Sequence, residues 1–242
     1  MRLKNKLALI TGASRGIGKA IALELASEGA AVIITYKDNK DLAQQLVTEI
    51  IDRGQSAYSF QLDVCSRTGI KDLAKTVTEK HDAIDILVNN AGINIPNDFS
   101  KITDEDWDSV LNTNLSSVFK VGQEFERIIK DGGAIVNISS VSGQYGGPRS
   151  SHYAASKAGL ISLTQNMAIF FSKRSIRVNA VSPGLIESEM ASAANKLGLD
   201  EKILLGRRGT VQEVAKAVCF LVSEEASYVT AQVLNVNGGL YF

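Results

Sequence analysis

The sequence predicts an α/β protein built on a doubly wound parallel sheet of about seven strands, with helices on both faces. Three observations predict it. Short apolar runs alternate with longer amphipathic ones along all 242 residues. The short runs are near-continuous in Val, Ile and Leu, as suits strands buried on both faces. Their alternation with helical patterns implies βαβ units with right-handed crossovers.

The elements follow in order. Residues 6–11 read as a strand and 16–28 as a helix. Residues 31–36 are strand-like and 41–53 helical; 56–62 are strand-like and 70–80 helical. A strand at 84–89 precedes a long helix at 104–129. A strand at 134–138 precedes another long helix at 151–173. The chain closes with a strand at 176–181, a helix at 211–222 and a strand at 232–236. Thr210 and Glu213 have capping-box spacing at the start of the last helix. Between residues 185 and 209 lie about 25 residues, well above the usual loop length. They include Met190, Leu197, Leu199, Ile203 and Leu204. So apolar a connection reads as a substrate lid, as one or two short packing helices, or as both. Three prolines leave no Pro-rich linker, and residues 1–242 read as one domain.

Composition excludes several classes. Lys and Arg number 26 and so do Asp and Glu, so no basic field suggests a nucleic-acid partner. No apolar stretch reaches the ~18 to 20 residues that span a bilayer. The start, Met1 to Lys6, lacks the apolar run of a signal peptide. Cys65 and Cys219 lack metal-ligand spacing and read as reduced packing residues. A cytoplasmic protein is expected, and the sequons at Asn114 and Asn137 are then chance matches.

The chemistry concentrates in a few places. Thr11-Gly12-Ala13-Ser14-Arg15-Gly16-Ile17-Gly18 joins the first strand to the first helix. Its glycines permit a tight turn and close approach of N–H groups to an anion. The helix start adds free donors and a positive dipole end. A pyrophosphate fits, although Gly-x-x-x-Gly-x-Gly departs from the usual dinucleotide fingerprint and a plain glycine-rich turn would look the same. Asp63 and Val64 end the third strand, where Asp63 is an adenine partner or a turn residue. Asn89-Asn90-Ala91-Gly92 ends the fourth, at the edge where doubly wound sheets bind ligands.

Tyr153 and Lys157 stand at i and i+4 near a helix start and share a face. A free phenol titrates near 10. A neighbouring ammonium stabilises the phenolate, so the pair suits proton exchange with a carbonyl or alcohol. Ser140, at a strand end, is placed to hydrogen-bond the substrate oxygen. The spacing alone is weak, because Tyr36 and Lys40 repeat it at a strand end. Its weight comes from the phosphate loop, Asn89 to Gly92 and Ser140 falling in order. His81 and His152 have no metal-ligand spacing, and no metal site is expected. His152, beside Tyr153, lines the site or, as its place favours, is a solvated helix-start residue. No Gly-x-Ser-x-Gly elbow or Walker lysine is present.

Over essentially its whole length the sequence resembles the short-chain dehydrogenase/reductase family. Thr11 to Gly18, Asn89 to Gly92, Asn114, Ser140, Tyr153, Lys157, Asn179-Ala180-x-x-Pro183-Gly184 and Val236-Asn237-Gly238-Gly239 carry the likeness. The resemblance implies a Rossmann-type fold. It implies Tyr153 as acid/base, with Lys157 binding the nicotinamide ribose and tuning it. Ser140 would orient the carbonyl, and Asn114 would hold a relay water at a helix irregularity. Pro183, Gly184, Ile186 and Ser188 would contact the nicotinamide end. A homotetramer is also implied. The family's NAD enzymes place a carboxylate where Tyr36 stands here. Without it, Arg15 and Lys37 suit a 2′-phosphate, so NADP(H) is expected, with NAD(H) kept open by Asp38.

Within the family, Asn112 to Phe119 and Asn235 to Tyr241 look most like 3-oxoacyl-acyl-carrier-protein reductases of fatty-acid synthesis. Arg174 matches a basic docking position for carrier protein. Arg149 to His152 and Lys130-Asp131-Gly132-Gly133 depart from those reductases, and Ile93 to Asn97 looks more like sugar or polyol dehydrogenases. Arg149 reads as a partner for a substrate phosphate or carboxylate, or as an exposed loop residue. The expected reaction is reduction of a 3-oxoacyl thioester. A sugar, polyol or small-ketone dehydrogenase, and an inactive nucleotide-binding regulator, are the alternatives.

Overall fold

The apolar runs become strands because helices cover them on both sides. The computed structural model describes residues 1–187 and 200–242. Its strands are β1 (Leu7–Ile10), β2 (Ala31–Tyr36), β3 (Ala57–Gln61), β4 (Ile84–Asn89), β5 (Ile129–Ile138), β6 (Arg177–Pro183) and β7 (Val233–Val236). All pair in parallel, in the order β3-β2-β1-β4-β5-β6-β7. The order reverses between β1 and β4, which opens a crevice beyond their carboxyl ends. The helices are α1 (Gly16–Ser27), α2 (Lys40–Asp52), α3 (Arg67–His81), α4 (Asp104–Leu111), α5 (Ser117–Phe125), α6 (Ser142–Tyr145), α7 (Ser151–Phe171) and α8 (Val211–Val222).

Two apolar cores result. Ile21 and Leu25 of α1, Leu46 and Ile50 of α2, and Val214 and Val218 of α8 pack on one face of the sheet. Ile70 and Val77 of α3, Val121 and Phe125 of α5, and Leu160 and Phe171 of α7 pack on the other. Successive strand residues feed opposite cores: Leu9 faces one and Ile10 the other, both fully buried. Each such side chain contributes about 1.5–3 kcal/mol.

One element differs from expectation. The helix predicted over 104–129 is three pieces, because a π-helical turn at Asn112–Ser116 joins α4 to α5. There the Ser117 N–H reaches back to the Asn112 carbonyl. The inserted residue leaves the apolar periodicity intact, so the pattern reads as one helix. The helix then stops at Phe125, because Ile129 is drawn into the sheet opposite Ile84. β5 bulges at Gly132, whose φ is +75°, and resumes at Ala134 opposite Ile86.

The ends of the long connection are clasped together. Ile186 bridges Gly209, Gly209 N–H donates to the Leu185 carbonyl (3.0 Å), and Glu187 N–H donates to the Gly209 carbonyl (2.8 Å). A 3-10 turn at Asp200–Lys202 is one of the short helices expected there. Ser188, Met190, Leu197 and Leu199 lie outside the described residues. The capping box at Thr210 and Glu213 is present. Among the described residues no helix is long and apolar enough to cross a membrane. Cys65 and Cys219 are free thiols, and Asn114 and Asn137 of the two sequons are fully buried.

Candidate functional site

The loop after β1 is built backwards from β2 and β4. Ala13 N–H donates to the Thr35 carbonyl (2.9 Å), and Gly12 N–H to the Thr35 hydroxyl (3.2 Å). Asn90 Nδ2 donates to the carbonyls of Thr11 and Gly12 (both 2.9 Å). Thr11 Oγ1 accepts from Asn90 N–H (3.0 Å) and Ala91 N–H (3.1 Å). Asn90 is therefore a strut under the loop. A β-carbon on Gly18 would lie 2.5 Å from Asn90 Nδ2 and 2.7 Å from the Gly12 carbonyl oxygen. One on Gly12 would lie 2.9 Å from the Ala91 α-carbon. Gly16 has φ +58° and would meet nothing within 4 Å, so it faces open space. Arg15 precedes α1 without capping it by a side chain, and the first turn of α1 holds no acidic residue. The open cradle at this helix start fits a pyrophosphate.

The ribose end is shaped by β2 and the turn after β3. Tyr36 is buried in the core and Val64 is buried beside the site. Lys37 Nζ lies 2.9 Å from Asp63 Oδ2. The Lys37 ammonium holds the Asp63 carboxyl below its ordinary range, while Asp63 raises Lys37. Asp63 Oδ1 also accepts from Cys65 N–H (2.9 Å), so the carboxylate is a turn former as well. Lys37 is thus already paired rather than free as expected, through an exposed bridge worth little in itself.

Tyr153 and Lys157 share a face of α7 as predicted, with Lys157 Nζ 5.7 Å from the centre of the Tyr153 ring. Lys157 is buried and donates to the Ile138 carbonyl (2.8 Å). Burial brings its ammonium down to about 8. Burial also raises the Tyr153 phenol, opposed by a hydrogen bond with Ser140. The lowering expected from the neighbouring ammonium is outweighed here: without ligand, desolvation dominates and favours the protonated phenol. Ser140 Oγ accepts from Ser142 N–H (3.2 Å), which anchors it at the end of β5.

Asn114, at the centre of the π turn, is fully buried. Its Oδ1 accepts from Ile93 N–H (2.8 Å), and its Nδ2 donates to the Ile93 carbonyl (2.9 Å) and Ser156 Oγ (3.1 Å). A β-carbon on Gly92 would lie 3.2 Å from Asn114 Oδ1 and 3.5 Å from Lys157 Nζ. The strand-end loop therefore runs directly beside the lysine. Ser156 was not singled out in the sequence. Its signal is the spacing of three from Tyr153, whose carbonyl accepts from its hydroxyl (2.7 Å). Ser139, also missed, donates to the Lys157 carbonyl (3.0 Å). Pro183 ends β6, and Gly184 and Ile186 follow it, with Gly184 against Asn237.

Two expectations change. His152 is fully buried rather than solvated, and neither ring nitrogen has a hydrogen-bond partner among the described residues. It lies one turn before Ser156 on the inward side of α7, which sequence position alone does not reveal. Arg149 pairs with Asp98 (3.0 Å), and Arg174 with Asp131 (2.7 Å) and with the carbonyls of Glu126 and Ile129. Both arginines are tied to this chain's own groups. No cluster of metal-ligating side chains occurs among the described residues.

A family model described as Enoyl-(Acyl carrier protein) reductase matches residues 12–241. A 3-oxoacyl-[acyl-carrier-protein] reductase of Staphylococcus epidermidis is 41% identical over 242 residues, covering 98% of this chain and 99% of that protein. Its counterpart in Thermotoga maritima is 44% identical, covering 99% of each. A short chain dehydrogenase from Burkholderia cenocepacia, solved in complex with NADP, superposes with a TM-score of 0.95 at 36% identity, covering 99% of each chain.

Proposed function

Because the chain belongs to the short-chain dehydrogenase/reductase family, we propose that it is an NADP(H)-dependent reductase of 3-oxoacyl thioesters carried on acyl carrier protein. The observation that carries this is the convergence of Ser140, Tyr153 and Lys157 beside an open anion cradle. Bound NADPH would supply the hydride that the carbonyl carbon takes up. The chain's own residues do the rest. Gly12, Ser14, Gly16, Ile17 and Gly18 hold the pyrophosphate on main-chain N–H groups. Arg15 and Lys37 meet the 2′-phosphate beside buried Tyr36, and Asp63 and Val64 meet the adenine. Asn90, Ala91 and Gly92 form the crevice wall. Pro183, Gly184 and Ile186 border the nicotinamide end.

Ser140 donates to the substrate carbonyl oxygen and holds it against the Tyr153 hydroxyl. Tyr153 gives its proton to that oxygen as it becomes an alcohol. Lys157 stabilises the phenolate left behind and binds the ribose. The Asn114 side chain is committed to Ile93 and Ser156. A relay water at the π turn would then have to be held by main-chain groups there. Exposed Phe119, Ile169 and Phe170 suit the helix faces of a homotetramer, which its mass in solution checks.

The test is a substrate panel with both cofactors. Acetoacetyl thioester should give steady NADPH oxidation, faster than with NADH at equal concentration. Crotonyl thioester, the enoyl case, should give none. Polyol oxidation without thioester reduction would overturn the substrate, and a clear NADH preference the cofactor.

A further inference from the structure

The last residues of the chain fold onto the substrate side of this crevice. The β-carbon of Gly184, were there one, would lie 2.7 Å from the Asn237 α-carbon. Asn237 Oδ1 accepts from Gly239 N–H (2.9 Å), and its Nδ2 donates to the Tyr241 carbonyl (2.7 Å). Positive φ at Gly238 and Gly239 makes the turn, and a β-carbon on either would strike Ile203 (2.8 Å) or Leu204 (2.7 Å). Leu205 N–H donates to the Gly238 carbonyl (3.0 Å). The tail therefore bridges the turn after β6 and the far end of the long connection.

It also reaches α6. Tyr241 stacks on Tyr145, with ring centres 6.0 Å apart and planes 26° off parallel, within the range of favourable aromatic pairs. Tyr145 lies on the short helix that leaves Ser140, and Ser142 of that helix anchors Ser140 Oγ. Gly143 of the same helix packs on the backbone at Lys157, and Gln144 Oε1 accepts from Ser182 Oγ (3.0 Å) just before Pro183. Tyr145 thus ends a helix whose Ser142 and Gln144 are tied to Ser140 and Ser182. It is still 39% exposed, and Leu204 and Leu205 nearby are 75% and 70% exposed.

We propose that the stacked Tyr145–Tyr241 pair is an aromatic wall that receives the alkyl chain of the substrate and sets chain-length preference. The wall rests on the reading of the site as a 3-oxoacyl thioester reductase. A four-carbon substrate is spent on the reacting carbons and leaves the wall untouched. Longer chains continue past Ser140 onto the two rings, with Leu204 and Leu205 at the rim. Apolar contact supplies the recognition, so the rings matter and the hydroxyls do not.

The experiment measures KM and kcat with acetoacetyl and 3-oxooctanoyl thioesters for wild type, Tyr145→Ala, Tyr241→Ala, Tyr145→Phe and Tyr241→Phe. Each alanine variant should raise KM for the eight-carbon substrate ~10-fold, the scale of losing a few buried methylene contacts. Acetoacetyl kinetics should stay within about twofold, and the phenylalanine variants should match wild type. Equal losses on both chain lengths, or loss in the phenylalanine variants, would overturn the wall. So would a change in solution mass in Tyr241→Ala, which would make the tail a subunit contact. A calorimetric titration with unreactive octanoyl-pantetheine gives a readout independent of turnover. If wild type reduces neither thioester, the reading of the site fails, while weaker octanoyl binding by the alanine variants still supports the wall and unchanged binding removes it.

Discussion

Lys157 carries the pH dependence. Buried and bonded to the Ile138 carbonyl, its ammonium titrates at about 8 in the ligand-free protein. In the proposed chemistry the phenolate left on Tyr153 would need that charge. Reduction should therefore hold steady up to about pH 8 and fall above it, and a pH profile of kcat/KM checks this. The stability sign is separate. A lysine whose folded value lies below its unfolded one, near 10.4, binds fewer protons when folded. Its contribution to stability thus rises as pH climbs from about 8 towards 10.4 and is lost on descent. At neutral pH its burial costs about 3 kcal/mol, at 1.36 kcal/mol per tenfold change. A buried lysine at such a cost marks a candidate functional site. The Tyr153 and Lys157 pairing was legible as a spacing of four on a helix. The burial of His152, next in sequence to Tyr153, was not. Whether a residue at a helix start faces water or the neighbouring π turn depends on which helix lies over it, and that is a tertiary fact.

At the scale of elements, the strands were legible because each is an apolar run with a single fate. The break in the helix after β4 was not, since a π turn adds a residue while α5 keeps its apolar face inward. The family resemblance pointed to an irregularity at Asn114, where periodicity alone showed none. The phosphate loop shows the same division. Its glycines were legible, but the reason for each is spatial. Gly18 is fixed by the Asn90 strut and Gly16 by a left-handed backbone facing open space. Gly18→Ala should consequently disturb the loop and weaken NADPH binding at least ~10-fold, because backbone must shift, as expected when a close packing site is overfilled. Gly16→Ala costs about 1 kcal/mol of strain and leaves the strut intact. Equal nucleotide binding by Gly18→Ala and wild type, measured by titration, would contradict that division of roles.

For the whole molecule, topology turns distant sequence into one site. The reversal of strand order between β1 and β4 opens the crevice, and it brings together Gly12, Asn90, Ser140 and Gly184 from four strand ends. Parallel pairing across seven strands fixes their heights, and the buried ties of Asn114 and Lys157 fix the helix that carries the phenol. The order of these motifs was legible throughout. The state of the charged groups was not: Lys37, Arg149 and Arg174 each have acidic partners that only folding brings near. The measurement that bears most directly on the proposed chemistry is turnover of acetoacetyl thioester by Tyr153→Phe, with NADPH binding titrated alongside. Loss of the hydroxyl should lower kcat at least ~100-fold, the usual scale of acid–base assistance, while NADPH still binds. An undiminished kcat in a variant that binds NADPH normally would show that the proton comes from elsewhere.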